Sequence, residues 1–218
     1  MFLHRIYLNM RCKEVRRDIA DPYEMHSTLS RAFTPPDKKL PPNSFLWRLE
    51  PERNYAGNVK VIIQSREIPE WTRINLTDWF AENPSPPFDL NQKLSIHLKN
   101  GNQFRYRLRA NPSVCRNNKR VGLLNADSQT KWLFQKGEKK GFKPITVHLS
   151  EEQMLSGNVR NGRPIRIFSV LYDGILEITE IQELQITLAN GIGHGKALGL
   201  GLLSIIPVST TPKPLAAG

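Results

Sequence analysis

The stretch Phe104-Arg-Tyr-Arg-Leu-Arg-Ala110 alternates apolar and basic residues with a period of two. Successive side chains of a β-strand point to opposite faces of its sheet, so this alternation predicts a strand. The apolar face of the strand is expected to cover a core and holds Phe104, Tyr106 and Leu108. The opposite face would carry three guanidinium groups at strand spacing, from Arg105, Arg107 and Arg109.

The segments that follow this strand complete a β-α-β-β-α-β order. They are a helix at 128–140, strands at 145–149 and 165–171, a turn through Tyr172-Asp-Gly174 into 175–178, a helix at 181–190 and a strand at 202–208. This order is that of the split βαβ, or ferredoxin-like, domain, which is also the RRM fold.

The first half of the chain predicts the same order. Its segments are a strand at 3–10, a helix that begins after Asp21, strands at 45–49 and 59–63, a short helix at 71–80 and a closing strand at 93–98. Asp21 suits the N-cap of the helix, Pro22 its first position and Glu24 a capping box. The closing strand is expected to lead through a turn at 99–102 directly into the strand at 104–110.

A length of 218 residues fits two such units, and we predict an α+β fold of two tandem ferredoxin-like (RRM-like) βαββαβ domains. The predicted domains are 1–100, which holds the helix after Asp21, and 101–210, which holds a glycine-rich loop. The last residues, 211–218, lack periodicity and are expected to form a mobile tail.

The charge balance favours a polyanionic partner. Lys and Arg number 31 against 20 Asp and Glu, which gives a net charge of +11. Nucleic acid is the leading candidate, and the arginine row followed by Lys119 and Arg120 matches the charge of a phosphate backbone. A solvated strand face with scattered acidic neighbours is the alternative explanation of the row.

The sequence gives little indication of a metal site or of a membrane-spanning segment. Cys12 and Cys115 are isolated, and the histidines lack metal-ligand spacing, so we expect neither a metal nor another cofactor. The isolated cysteines suit a reducing cytoplasm. No apolar run approaches the roughly 18 residues of a membrane span, so no membrane contact is expected.

The helix after Asp21 carries the best candidates for chemistry. At 100° per residue, one side holds the apolar stripe Met25, Leu29, Ala32 and Phe33, and the other holds Tyr23, His26, Ser27 and Ser30. A phenol and an imidazole three residues apart, near a helix N-terminus that favours anions, could act on one phosphate. The alternative is that both are ordinary surface residues.

The glycine-rich run Gly191-Ile-Gly-His-Gly-Lys-Ala-Leu-Gly-Leu-Gly201 does not fit a nucleotide-binding loop. It leads from helix into strand, and Ala197 follows Lys196 where a P-loop needs Ser or Thr. Its backbone can approach another backbone closely, and Lys196 is available to a phosphate. Tight packing at the helix-to-strand connection is the structural alternative.

Four segments spread over the chain carry a family resemblance. They are Asp21-Pro-Tyr-Glu-Met-His26 with Leu29-Ser30; Leu46-Trp-Arg-Leu-Glu-Pro51; Phe104 to Pro112 with Lys119-Arg-Val121; and Gly193-His-Gly-Lys-Ala-Leu-Gly-Leu-Gly-Leu-Leu-Ser204. With these segments the chain resembles the CRISPR repeat-processing endoribonucleases of the CasE kind, which belong to the type I-E Cascade complex.

The resemblance implies two ferredoxin-like domains side by side, with the hairpin of a CRISPR repeat RNA lying across a basic surface formed by both. It implies that His26 and Tyr23 take part in cutting just 3′ of the hairpin. It also implies a basic hairpin that enters the RNA groove, which here would use Arg160 and Arg163. Other Cascade subunits are the implied protein partners.

Metal-independent attack by a ribose 2′-hydroxyl suits these residues, because the pKa of histidine lies near neutrality. Tyr23 could orient the hydroxyl or share the proton transfer, and Arg31 could offset charge on the phosphorane oxygens. The sequence leaves open which residue is base and which is acid. A non-catalytic RRM-like module that binds RNA or scaffolds a complex is the alternative function.

Overall fold

Two four-stranded antiparallel sheets form the framework of the computed structural model, which describes residues 1–35, 37–158 and 164–208. The first half contains β1 Phe2–Leu8, α1 Lys13–Ala20, α2 Pro22–Ser30, β2 Phe45–Arg53, β3 Val59–Ser65, a 3₁₀ turn Trp71–Arg73, β4 Phe88–Asp89 and α3 Leu90–Leu94. The second half contains β5 Gln103–Ala110, β6 Ser113–Arg116, β7 Lys119–Gly122, α4 Ala126–Glu138, β8 Phe142–Asn158, β9 Pro164–Ile178, α5 Ile181–Asn190, a 3₁₀ turn Lys196–Leu198 and β10 Leu203–Pro207.

The strand orders confirm the predicted fold class. The first sheet runs β2-β3-β1-β4 and the second β10-β5-β9-β8. In both, the first and third strands of the unit lie in the middle and its second and fourth strands lie at the edges, as in a ferredoxin-like domain. The two halves are therefore tandem copies of one topology, while the exact domain boundaries stay a prediction.

Each sheet covers its own apolar core. The first core is built on Ile6, Leu8, Val61 and Ile63, which alternate along β1 and β3 and are buried almost completely. The second core contains the predicted apolar face of β5, and there Phe104 and Leu108 have no exposed surface. Period-two patterning thus assigned the buried face of β5 correctly.

The segment between β3 and β5 differs from the prediction. The expected helix at 71–80 is only the 3₁₀ turn Trp71–Arg73, and the expected strand at 93–98 is wrong because α3 ends there. Asp89 caps α3 by accepting hydrogen bonds from the amides of Asn91 and Gln92. Leu90 and Leu94, one turn apart, then pack into the second core.

Three further elements were missed or assigned wrongly. Helix α1 was not predicted, and neither was the β6–β7 hairpin, whose turn has positive φ angles at Asn117 and Asn118. The expected turn at 172–174 is absent from the described chain, since β9 continues through it. At Gly174 an added Cβ would collide with the carbonyl oxygen of Thr146, so this glycine allows β8 to approach closely and does not reverse the chain.

A buried ion network joins the two sheets. Arg48 of β2, only 3% exposed, donates from Nε to Glu50 Oε1 at 2.7 Å and from its Nη1 to the carbonyl oxygens of Arg107 and Leu202 at 3.1 and 3.0 Å. The other oxygen of Glu50 accepts a 2.7 Å hydrogen bond from Arg107. Both acceptor carbonyls belong to the second half of the chain, so Arg48 and Glu50 fix the position of one sheet against the other.

Removing the carboxylate at the centre of this network should therefore be costly. We expect Glu50→Ala to lower the free energy of unfolding by about 3–5 kcal/mol, because it leaves the buried Arg48 charge uncompensated. Glu52→Ala is the matched control, since Glu52 contacts the same Arg107 but is half-exposed, and its loss should cost less than about 1 kcal/mol. Urea unfolding of both variants measures the difference, and equal losses would contradict this account.

Candidate active site and nucleic-acid interface

The start of α2 follows the sequence expectation at its cap. The Asp21 side chain accepts a hydrogen bond from the Tyr23 amide at 2.9 Å, and Pro22 occupies the first turn. In place of a capping box, the Asp21 amide donates to the Arg17 carbonyl, and Glu24 pairs with the Arg17 side chain at 3.4 Å. The cap orients Tyr23 at the end of the helix where the backbone amides attract anions.

The two faces of α2 are divided as predicted. Met25, Leu29 and Ala32 are buried in the first core. Tyr23 and His26 are half-buried on the other side of the helix, near the protein surface. The imidazole and phenol are thus anchored by a helix whose apolar face cannot rotate out of the core.

His26 has an unusually apolar setting for a histidine near the surface. Its ring stacks on Phe45 of β2, with centroids 5.0 Å apart and planes inclined by 23°. Its Nδ1 is buried and has no hydrogen-bond partner among the residues that the structure describes. Burial lowers the pKa of His26 below the ordinary value of 6.5, so the imidazole is neutral at physiological pH.

An open pocket of about 260 Å³ lies in front of His26. It is lined by His26 and Ser30 of α2 and by the segment from Lys39 to Phe45. Lys196, from the glycine-rich loop, donates to the side-chain oxygen of Asn43 on the pocket wall at 3.4 Å. The structure therefore brings Lys196 to the edge of the His26 pocket although 170 residues separate the two in sequence.

Arg31, the third predicted catalytic residue, immediately follows α2. Its amide donates to the Thr28 carbonyl at 3.2 Å, which holds the backbone helical, and its side chain is exposed. It lies four residues after Ser27, just past the end of α2, and its exposed guanidinium is open to a ligand.

The expected open row of arginines on β5 is corrected by the structure. Arg105 is exposed, but Arg107 contacts three carboxylates, those of Glu50, Glu52 and Asp173, at 2.7–2.8 Å. Arg109 is buried and donates to the Glu151 carbonyl at 3.3 Å. The basic face of β5 is turned toward the first sheet, so two of its three charges lie in the interface between sheets.

Other predicted cations are accessible. Lys119 and Arg120 lie exposed on the β6–β7 hairpin, and Arg120 donates to the Ser113 hydroxyl at 3.3 Å. Partial burial lowers the pKa of His194, and the nearby charges of Arg120, Lys136 and Lys196 lower it further. A basic cluster around the glycine-rich loop therefore combines three parts of the second half of the chain.

Sequence reasoning missed several members of these sites. Lys136 belongs to the basic cluster, and Lys39, Asn43 and Phe45 surround His26, yet none was singled out. A usable signal for Lys136 was the lysines at 136, 139 and 140, because residues three or four apart in a helix are neighbours on its surface. Nothing local to 39–45 indicated that this segment would fold over α2.

Some expectations lie outside the described residues, namely the roles of Arg160 and Arg163 and the mobility of 211–218. β8 and β9 pair as far as Asn158 and Pro164. Over the described ranges, no cluster of three or more His, Cys, Asp or Glu residues could hold a metal ion. Within the same ranges, no helix is long and apolar enough to cross a membrane.

Comparison with known proteins identifies the family. The family model described as CRISPR associated protein matches residues 1–207. CRISPR-associated endoribonuclease Cse3 of Thermus thermophilus is 34% identical over 95% of this chain and 100% of its own length. The CRISPR system Cascade subunit CasE of Escherichia coli K12 is 27% identical over 86% of this chain and 93% of its own.

A solved structure agrees in fold as well as in sequence. The Thermus thermophilus Cse3 bound to an RNA representing a pre-cleavage complex superimposes with a TM-score of 0.78 and 33% identity, over 94% of this chain and 98% of that one. The resemblance inferred from the four sequence segments is thereby confirmed. The chain belongs to the CRISPR-associated protein family and, within it, to the CasE-like repeat-processing group that includes Cse3.

Proposed function

We propose that this protein is an endoribonuclease that cleaves CRISPR precursor RNA within its repeats and works with the other subunits of Cascade. The observation that carries the proposal is the desolvated, neutral His26 at the pocket whose rim includes Lys39 and Lys196. A neutral imidazole can accept a proton, and lysines at the rim can hold a phosphate beside it. The relatives Cse3, a CRISPR-associated endoribonuclease, and CasE, a Cascade subunit, agree with this assignment.

The reaction proposed is attack by the ribose 2′-hydroxyl on the adjacent phosphorus. A base takes the 2′-hydroxyl proton while the O2′–P bond forms, and an acid gives a proton to the 5′-oxygen as the P–O5′ bond breaks. The products are a 2′,3′-cyclic phosphate and a 5′-hydroxyl. Every atom comes from the RNA and two protein groups, so the mechanism proposed uses neither metal nor cofactor.

The proposed roles rest on the family resemblance and on the chemistry of each side chain. His26 transfers a proton, Tyr23 orients the 2′-hydroxyl or shares the proton transfer, and the exposed Arg31 offsets charge on the phosphorane oxygens. A module that only bound RNA would gain nothing from an imidazole held neutral by burial, since a protonated one would bind phosphate better. His26 therefore favours the enzyme over the non-catalytic alternative.

The RNA-binding surface that we propose uses the accessible cations. They are Arg105, Lys119, Arg120, Lys136 and Lys196. We assign Arg107 and Arg109 instead to the interface between the sheets, because carboxylates and backbone already hold them. The roles of Arg160 and Arg163 in the RNA groove rest on the family resemblance alone, and a cytoplasmic location stays a prediction from the cysteine pattern.

The central test is cleavage of labelled repeat RNA in excess EDTA. We expect His26→Ala to lower the single-turnover rate about 10²–10⁴-fold with nearly unchanged affinity, because proton transfer affects the barrier and not the bound ground state. His194→Ala is the control and should cut at nearly the normal rate. A repeat with 2′-deoxyribose 5′ of the scissile phosphate should bind and resist cleavage.

Two results of this test would contradict the mechanism. One is strict dependence of cleavage on added magnesium. The other is normal cutting of the deoxy substrate, since water would then be the nucleophile and the roles of His26 and Tyr23 would have to be abandoned.

The two histidines should also respond differently to salt. Burial lowers the pKa of His26, whereas neighbouring cations add to burial in lowering that of His194. Screening acts on exposed charges, so raising ionic strength from 0.05 to 0.5 M should raise the His194 pKa and leave that of His26 nearly fixed below 6.5. NMR titration of both imidazoles at the two salt concentrations checks this, and a matching rise at His26 would show that charge governs it.

RNA affinity gives a separate test of the corrected arginine row. Arg105→Ala should reduce the slope of log affinity against log salt by about one phosphate contact. Arg107→Gln should leave that slope unchanged while destabilising the fold, because its charge is already paired with Glu50 and Asp173. Filter binding over a salt series compares the slopes of the two variants. An equal loss of slope in both would show that Arg107 contacts RNA phosphates.

A further inference from the structure

Tyr23 rests against a strand of the opposite half of the chain. Helix α2 precedes the first sheet's strands β2 and β3, whereas Gly157, which faces the Tyr23 ring, lies near the end of β8 in the second sheet. Gly157 is buried, and its backbone pairs with Ile165 of β9. At this point β8 can move away from Tyr23 only together with β9, to which it is paired.

The contact leaves no room for a side chain at position 157. A Cβ built there would lie 2.6 Å from Cδ2 and 3.1 Å from Cε2 of Tyr23, and 3.1 Å from the carboxylate oxygen Oδ1 of Asp21. Non-bonded carbon atoms are ordinarily about 3.5–4.0 Å apart, so a methyl group would displace the ring. Gly157 has no positive φ angle, which means that close approach, and not backbone conformation, requires glycine here.

Tyr23 cannot easily avoid such a methyl group by moving its backbone. Asp21 Oδ1 accepts the hydrogen bond from the Tyr23 amide, and the same carboxylate oxygen would touch the added Cβ. The next residues of α2 are locked by the buried Met25. The ring itself is the part that would have to move, and its hydroxyl would move with it.

We propose that Gly157 is a positioning residue for RNA cleavage: by letting β8 pack directly on the Tyr23 ring, it fixes the phenol hydroxyl relative to His26. This inference rests on the proposed function and on a role for the Tyr23 hydroxyl in it. The second sheet then contributes to catalysis as well as to RNA binding, because it forms one wall of the space that holds Tyr23. A displacement of about 1 Å in a reacting group can cost on the order of 10²-fold in rate.

The test measures single-turnover cleavage in EDTA at saturating repeat RNA, together with the dissociation constant. Gly157→Ala should lower the rate at least about tenfold and change the dissociation constant less than about twofold. Gly122→Ala is the matched control, since its added Cβ would lie 3.4 Å from Phe168 Cβ, an ordinary contact, and should cut normally. Normal cleavage by Gly157→Ala would overturn the proposal.

A double-mutant cycle shows whether Gly157 acts through the phenol. Tyr23→Phe removes the hydroxyl, so adding Gly157→Ala should cause no further loss of rate if displacement of the hydroxyl is the mechanism. A full additional loss in the double variant would mean that Gly157 supports the fold or another group, and would overturn the proposal. Full activity of Tyr23→Phe would also overturn it and leave the proposed nuclease function standing.

Folding of Gly157→Ala need not limit the experiment. Tyr23→Ala removes the ring that would clash with the alanine. The cleavage rates of Tyr23→Ala and of the double variant Tyr23→Ala/Gly157→Ala can therefore be compared without that clash. Equal rates support action through Tyr23 alone, and a slower double variant contradicts it. Absence of cleavage by the unmodified protein would instead overturn the proposed function, and this inference with it.

Discussion

The buried pairing of Arg48 with Glu50 is the constraint on which the arrangement of this molecule depends. Two ferredoxin-like units with separate cores have no inherent relative position, and a charged guanidinium placed between them must find partners or destabilise the protein. Arg48 finds them in Glu50 and in two carbonyls of the opposite half. Because hydrogen-bond geometry is directional, this network constrains how the two sheets pack against each other.

The surroundings of helix α2 also depend on that packing. With the sheets fixed, the glycine-rich loop lies against the first unit: a Cβ added at Gly199 would lie 2.9 Å from the Trp47 ring. The same packing brings Lys196 to Asn43 and β8 to Tyr23. The helix that bears His26 is thus contacted by segments of the second unit as well as of the first.

The sequence predicted what periodicity and local capping determine. The buried face of β5, the stripe of α2 and the bounds of α5 followed from residue spacing, because each depends on a single element meeting a core. The arginine row shows the limit of that reasoning. Period two assigned Arg105, Arg107 and Arg109 to one face, but only the fold shows that this face meets Glu50 and Asp173. For the same reason only part of the site around His26 could be predicted. The residues of α2 follow from its sequence, whereas Phe45 and Lys196 reach the site through tertiary contacts.

Burial and charge also act together on the proton transfer proposed for His26. In the free protein, desolvation holds His26 neutral, which suits a base and not an acid. A phosphate seated between Lys39 and His26 would add a negative charge within a partly desolvated pocket, and such a charge favours the protonated imidazole. Under the proposed function, substrate binding and proton affinity at His26 are coupled, because a bound phosphate would raise the His26 pKa from its lowered value. A histidine whose pKa lies near neutrality in the complex can serve in proton transfer as either the base or the acid. Burial by Phe45 and the charge of the substrate act in opposite directions on one imidazole, and their balance suits it to proton transfer.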